Sequence, residues 1–167
     1  VQDVSATGGS GGSSALSFDL KNQNACGGIT MTDFSIDTPA NDNGNVRDID
    51  YFNYKNKGNS KNGQGNSGQN HEVNVTGSAS GYAEAAEETD TGQFGTGGKY
   101  YNFTAEPTIP SNGNVNINIK NAYKDGNKAK LTYDTVESSS DADITVSLLF
   151  TDGSQKEIRF EVDKVNT

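Results

Sequence analysis

The sequence predicts an all-β protein, an antiparallel Ig-like β-sandwich of about eight or nine strands with at most one short helix. Three observations predict it. Short runs alternate strictly between apolar and polar residues, best seen in Val115-Asn116-Ile117-Asn118-Ile119 and Ile144-Thr145-Val146-Ser147-Leu148, so one face of each strand is buried and the other wet. The 20 Gly and 20 Asn crowd the stretches between these runs, where turns require their backbone freedom and their side-chain acceptors. Leu, Ile, Val and Phe number only 30 of 167 residues, enough for one thin two-layer interior and little more.

Two regions are expected. Residues 1–13, VQDVSATGGSGGS, read as a flexible Gly/Ser tether, since Val1 and Val4 are too few to define a strand. Residues 14–167 form the sandwich. Its first strand is Ala15–Asn22, with Leu16, Phe18 and Leu20 on one face. A turn at 23–28 follows. The second strand, Ile29–Asp37, changes parity: Ile29 and Met31 are odd, Phe34 and Ile36 even. A one-residue slip would turn half the strand inside out, so a bulge is expected at Thr32-Asp33.

Residues 39–45 are a turn-rich loop, and 46–54 a third strand carrying Ile49, Tyr51 and Phe52. The stretch 53–70 has no apolar residue after Tyr54. It cannot pack, and is expected as a mobile loop or tolerated insertion. A strand at 71–76 turns Val73 and Val75 inward. The run Tyr82–Glu88 is the one candidate helix, opposed by Glu84 and Glu88 at i, i+4. Residues 92–98 read as a loop, 99–104 as a strand with Tyr101 and Phe103 inward, and Pro107 and Pro110 as a connection. Strands follow at 114–120 and 129–133.

The C-terminal hairpin can be registered from the sequence. A two-residue turn at Asp152-Gly153 would set Leu148 opposite Glu157 and mismatch the faces. A three-residue loop, Thr151-Asp152-Gly153, sets Phe150 opposite Ser154 and Val146 opposite Ile158. The apolar faces then agree, with Gly153 at positive φ and a G1 bulge.

The formal net charge is −9, with no basic patch to meet a phosphate backbone or an anionic bilayer, which disfavours nucleic acid and membrane surfaces as partners. No apolar run reaches 18 residues, so no membrane span is expected in this chain. Lys outnumbers Arg 11 to 2, and the labile pairs Asn43-Gly44, Asn62-Gly63 and Asn112-Gly113 argue against a very hot habitat. The chain starts at Val1 rather than Met, as expected where a preceding segment has been removed.

Catalytic chemistry finds little to use. His71 is the only histidine and no GxSxG elbow is present, so a nucleophile–His site has no visible basis. Zinc would need clustered His and Cys. Glu84, Glu87, Glu88, Asp141 and Asp143 could supply a glycosidase pair, but the chain has no Trp to form a sugar platform. Asp37, Asn41, Asp42, Asn43, Asn45 and Asp48 offer hard oxygen ligands for calcium around one Gly-containing loop. Their spacing is not that of an EF-hand, and solvated turn chemistry explains the same residues. Cys26 is the only cysteine, either a buried inert thiol or an interchain attachment point. Asn74-Val75-Thr76 and Asn102-Phe103-Thr104 are N-glycosylation sequons with both asparagines at outward parity.

The segment Ala15–Asp37, ALSFDLKNQNACGGITMTDFSID, resembles the first hairpin of archaeal secreted pilin-like (type IV pilin or archaellin-like) surface proteins. HEVNVTGS from His71, GKYY from Gly98 and DITVSLLFTDGS from Asp143 are similar to later blocks of the same class. The resemblance implies a cleaved signal, a hydrophobic helix that builds a filament core, and a sandwich carried outward on it. No such helix precedes the tether in the sequence: either it is trimmed away, or the chain belongs to another secreted β-sandwich class, one of which polymerises by donating an N-terminal strand. The expected function is therefore a non-enzymatic extracellular protein, a filament subunit or adhesin ectodomain that associates with itself and carries glycans. The alternative is a carbohydrate- or ligand-binding module presenting Tyr51, Tyr54, Tyr100 and Tyr123 on a concave face.

Overall fold

The computed structural model describes residues 4–8, 14–38, 49–52, 73–83, 94–95, 97–120, 122–124, 127–136 and 144–166. All regular structure among them is β, arranged as two antiparallel sheets with a shared interior. The strands are β1 Val4–Gly8, β2 Ser14–Asn22, β3 Ile29–Asp37, β4 Ile49–Phe52, β5 Val73–Gly77, β6 Gly81–Ala83, β7 Phe94–Gly95, β8 Gly97–Asn102, β9 Thr108–Ile109, β10 Asn114–Lys120, β11 Ala122–Lys124, β12 Asn127–Val136, β13 Ile144–Phe150 and β14 Gln155–Asn166. One sheet has the order β1-β2-β10-β5-β6. The other runs β7-β4-β11-β12-β14-β13-β3-β8, with β9 added beside the start of β3.

The expected sandwich is present, with more strands than alternation alone marks. The extra ones are short. β7, β9 and β11 have two or three residues each, too few for a period-two pattern to register. β7 and the start of β8 fall in the expected 92–98 loop. β9 falls between the two prolines expected to mark a connection. Within the expected tether, Val4–Gly8 pairs with β2 from Val4↔Asn22 to Gly8↔Phe18. Backbone hydrogen bonding to an available edge makes this strand, which side-chain pattern does not announce. Tyr82 and Ala83 of the expected helix belong to β6. There Tyr82 pairs with Asn74 and Ala83 with Val73. Residues 84–88 of that run lie outside the described residues, as does the whole of 53–70.

The interior is built as the alternation requires. Leu16, Phe18 and Leu20 of β2 are each 0% exposed. Val115, Ile117 and Ile119 of β10 lie beside them. The facing sheet contributes Met31, Phe34 and Ile36 from β3, Ile144, Val146, Leu148 and Phe150 from β13, and Ile158, Phe160 and Val162 from β14. Fully burying each such side chain contributes about 1.5–3 kcal/mol. Phe18 meets Phe160 across the interior at 5.7 Å between ring centroids.

Both register expectations hold. Leu149 pairs with Asp33 and Phe150 with Met31, so Thr32 is the extra residue of a bulge, which returns Phe34 and Ile36 to the interior. In the hairpin, Val146 pairs with Ile158 and Ile144 with Phe160. The Gly153 N–H donates to the Phe150 carbonyl and the Phe150 N–H to that of Ser154, both at 3.0 Å. Gly153 has φ +83°, a conformation that costs a side chain-bearing residue about 1–2 kcal/mol. Asp152 Oδ1 closes the turn by accepting from the Ser154 N–H at 2.9 Å and hydroxyl at 2.6 Å. The Ser154 hydroxyl first, and its N–H second, lower the carboxyl pKa.

Two polar side chains bind the layers at points where the ladders run out. Tyr133 of β12 reaches β2 in the other sheet. Its hydroxyl accepts from the Ser17 N–H at 2.8 Å and donates to the Ser17 carbonyl at 3.2 Å. Its ring stands edge-on to Phe160 at 5.3 Å. Burial raises the phenol's pKa, and the Ser17 hydrogen bond lowers it by less. Asn22, 0% exposed at the end of β2, donates through Nδ2 to the carbonyls of Gly27 at 2.9 Å, Ile109 at 3.0 Å and Pro110 at 3.2 Å. Its Oδ1 accepts from the Asn24 N–H at 3.0 Å. One amide thus fixes the 23–28 turn, β9 and the turn after it.

Tyr133→Phe leaves the Ser17 peptide groups without that hydroxyl and is expected to cost about 1–3 kcal/mol in denaturant unfolding. A phenol pKa raised by folding gives stability that is complete below the unfolded value of about 10 and lost as pH rises through the folded value. Wild type therefore loses stability in that alkaline window, and Tyr133→Phe lacks that component of the loss. Asn22→Ala is expected to cost about 1–3 kcal/mol. Asn22→Asp, which sets a carboxylate against three carbonyl oxygens, costs more, about 3–5 kcal/mol at neutral pH. Equal costs for the two Asn22 variants would contradict the donor role of Nδ2.

Candidate surface sites

The chemistry-bearing residues lie at the surface and at the ends of strands. The two sequons have opposite settings. Asn102 is the last residue of β8 and is exposed, as is Thr104 two positions on. Phe103 between them is 4% exposed and packs on Phe34 at 5.3 Å between centroids. Its N–H donates to the Thr32 carbonyl at 2.9 Å. Asn74 sits at outward parity, as expected, but is 4% exposed. Its strand lies between β10 and β6, with Asn118 and Tyr82 as its cross-strand partners. Outward parity gives exposure only where the neighbours on that face are small or absent.

The outer face of the five-stranded sheet carries a polar array that the VNIN alternation implied but did not specify. Asn116 Nδ2 lies 3.2 Å from Ser17 Oγ, 3.3 Å from the Phe18 carbonyl and 2.8 Å from Asp19 Oδ1. Asn118 donates to Asn116 Oδ1. Asn116 thus ties β10 to β2, its bond to Ser17 joining residues 99 positions apart, and Asn118 adds a bond along β10.

On the outer face of the larger sheet, Tyr100 of β8 is 43% exposed. It pairs with Ser35, and Ser35 with Ser147, both buried and too small to crowd it. Gln155 Nε2 donates to the Tyr100 hydroxyl at 3.1 Å. An exposed aromatic face with its edge held by an amide can accept the apolar face of a sugar ring. The tyrosines named from the sequence come from different strands. Tyr51 and Tyr123 are cross-strand partners on β4 and β11, Tyr100 stands on β8 at the far end of the strand order, and Tyr54 lies outside the described residues.

Cys26 corrects one expectation. It is exposed, not a buried inert thiol. The 23–28 turn holds it outward, with its N–H donating to Asn24 Oδ1 at 3.0 Å. Asn22 and Asn24 both accept from backbone N–H groups within the turn. Of the calcium candidates, Asp37 is the half-exposed end of β3, while Asn41, Asp42, Asn43, Asn45 and Asp48 lie outside the described residues. So does His71. Among the described residues no three His, Cys, Asp or Glu side chains group as a metal site would. No helix among the described residues is long and apolar enough to cross a membrane.

No protein-family model matches this chain, and neither does any curated protein or solved structure.

Sequence reasoning missed Asn22 and Tyr133. The first has a local signal in Asn22-Gln23-Asn24 directly after an alternating strand, a common setting for side chain–backbone turn closure. The second has none, because the contact joins residues 116 positions apart.

Cys26 is expected to react with a thiol reagent such as dithionitrobenzoate in the native state at a rate close to that in denaturant. A native rate lower by a factor of about 100 or more would show protection comparable to burial behind an opening step.

Proposed function

We propose that this chain is a non-enzymatic extracellular structural protein, a subunit of a pilin-like filament or an adhesin ectodomain, and that its copies associate through the N-terminal edge of the smaller sheet. The observation that carries the reading is the edge itself. β1 stands at the end of its sheet and pairs with β2. The other end is covered: Tyr82 of β6 exchanges backbone hydrogen bonds with Ala105, at 3.1 Å in both directions. An edge strand carries N–H and C=O groups that can be satisfied by another chain. Residues 9–13, Gly-Ser-Gly-Gly-Ser, connect β1 to β2 with the composition of a freely turning link. The same strand can therefore complete its own sheet or that of a neighbour, which is strand addition with a second copy as partner.

The net charge of −9 and the Asn-, Ser- and Thr-rich outer faces support an exposed, solvated role. The resemblance of Ala15–Asp37 to secreted pilin-like proteins points the same way.

Exchange can be measured with cysteines in a Cys26→Ser background. Ser5 and Lys21 are direct cross-strand partners. Protein carrying only Ser5→Cys is mixed at high concentration with protein carrying only Lys21→Cys and oxidised. Exchange predicts a covalent heterodimer. It also predicts that the doubly substituted chain, locked within itself, loses assembly visible by electron microscopy and analytical ultracentrifugation. Monomers at every concentration, with no mixed disulfide, would remove the assembly reading.

A further inference from the structure

We infer that Asn102 is the chain's N-glycan acceptor and that the first sugar of the glycan lies on the Tyr100 ring, while the identical sequon chemistry at Asn74 goes unused in the folded protein. This rests on the extracellular part of the reading above.

Three features converge on Asn102. An acceptor needs both the amide and the hydroxyl two residues later within reach of the transferase, and Asn102 and Thr104 are both exposed. The middle residue, Phe103, is anchored inward against Phe34, which holds the sequon open from behind. The strand ends at Asn102 and the chain bends at Thr104, so the acceptor is the last residue of β8, paired on one side only, with Asp33. Asn74 fails on the first count at 4% exposure, and it is paired on both sides, with Asn118 of β10 and Tyr82 of β6.

Tyr100 supplies the platform. Residues i and i+2 of a strand share a face and stand about 7 Å apart along it. The pairs Ser35↔Tyr100 and Asp33↔Asn102 are in step, so no bulge separates the two. That spacing suits a pyranose ring attached at Asn102 and folded back over the phenol. Ser35 beneath keeps the ring accessible, and the Gln155 hydrogen bond to the hydroxyl fixes its orientation.

The covalent step uses a polyprenyl-diphosphate-linked oligosaccharide as donor. Asn102 Nδ2 forms a bond to the sugar C1. The C1–O bond to the carrier breaks, the diphosphate leaves with the electron pair, and the amide gives up one proton.

The test is secretion of the full chain, behind an added signal peptide, from a eukaryotic host that attaches N-acetylglucosamine first. Peptide mass spectrometry is expected to find Asn102 occupied and Asn74 unmodified, with occupancy lost in Asn102→Gln and kept in Asn74→Gln. In the glycosylated protein the first sugar's N-acetyl and ring protons are expected upfield, from the Tyr100 ring current. The shift disappears in Tyr100→Ala and persists in Tyr100→Phe. Enzymatic removal of the glycan lowers Tm by about 2–4 °C in wild type and by less in Tyr100→Ala. A folded, secreted chain unmodified at Asn102, modification at Asn74 instead, or sugar resonances identical in wild type and Tyr100→Ala would overturn the inference. The added signal supplies the secretory route, so a negative result counts against the site. The surface-protein reading stands or falls separately, on strand exchange.

Discussion

The contact between Phe18 and Phe160 is the constraint to which the rest of the structure answers. The two rings come from different sheets and meet at the centre of a chain with few apolar residues to spare. Keeping water from that contact requires every strand of β2, β3, β10, β13 and β14 to hold its parity, because a slip of one residue replaces a core side chain with Asn, Ser or Thr. The bulge at Thr32 is the clearest consequence. The β3 sequence cannot keep one parity along its length, and the extra residue restores it.

A thin interior also leaves backbone groups near its rim, and these must be satisfied by side chains. Tyr133 and Asn22 do this at different places by the same logic. Each is a polar group on an apolar background that takes both a donor and an acceptor role. Each links segments far apart in sequence. The interior is apolar because such groups sit at its margins, where one side chain closes several backbone ends at once.

Period-two patterning therefore revealed the long strands well. Leu16–Leu20, Val115–Ile119 and Ile144–Phe150 were legible because each buries three or four alternating side chains. The hairpin register was legible because only one loop length aligns Val146 with Ile158. The short strands were not, since β7, β9 and β11 are held by backbone pairing with neighbours distant in the chain. β1 was missed for the same reason: nothing in VSATG marks a strand until the edge of β2 is available. The surface sites were half legible. The sequons are readable by motif, but the difference between Asn74 and Asn102 depends on what lies across the sheet. The exposure of Cys26 depends on how its turn is tied.

β10 ends at Lys120 in the smaller sheet and β11 begins at Ala122 in the larger. One nearly continuous stretch of backbone is thus stitched into both layers. If the two layers are loaded in opposite directions, the sliding force falls on covalent bonds and on two hydrogen-bonded ladders in series. Apolar packing, which resists shear poorly, is relieved of that duty. A sandwich sewn in this way can have a meagre centre and still be hard to pull apart.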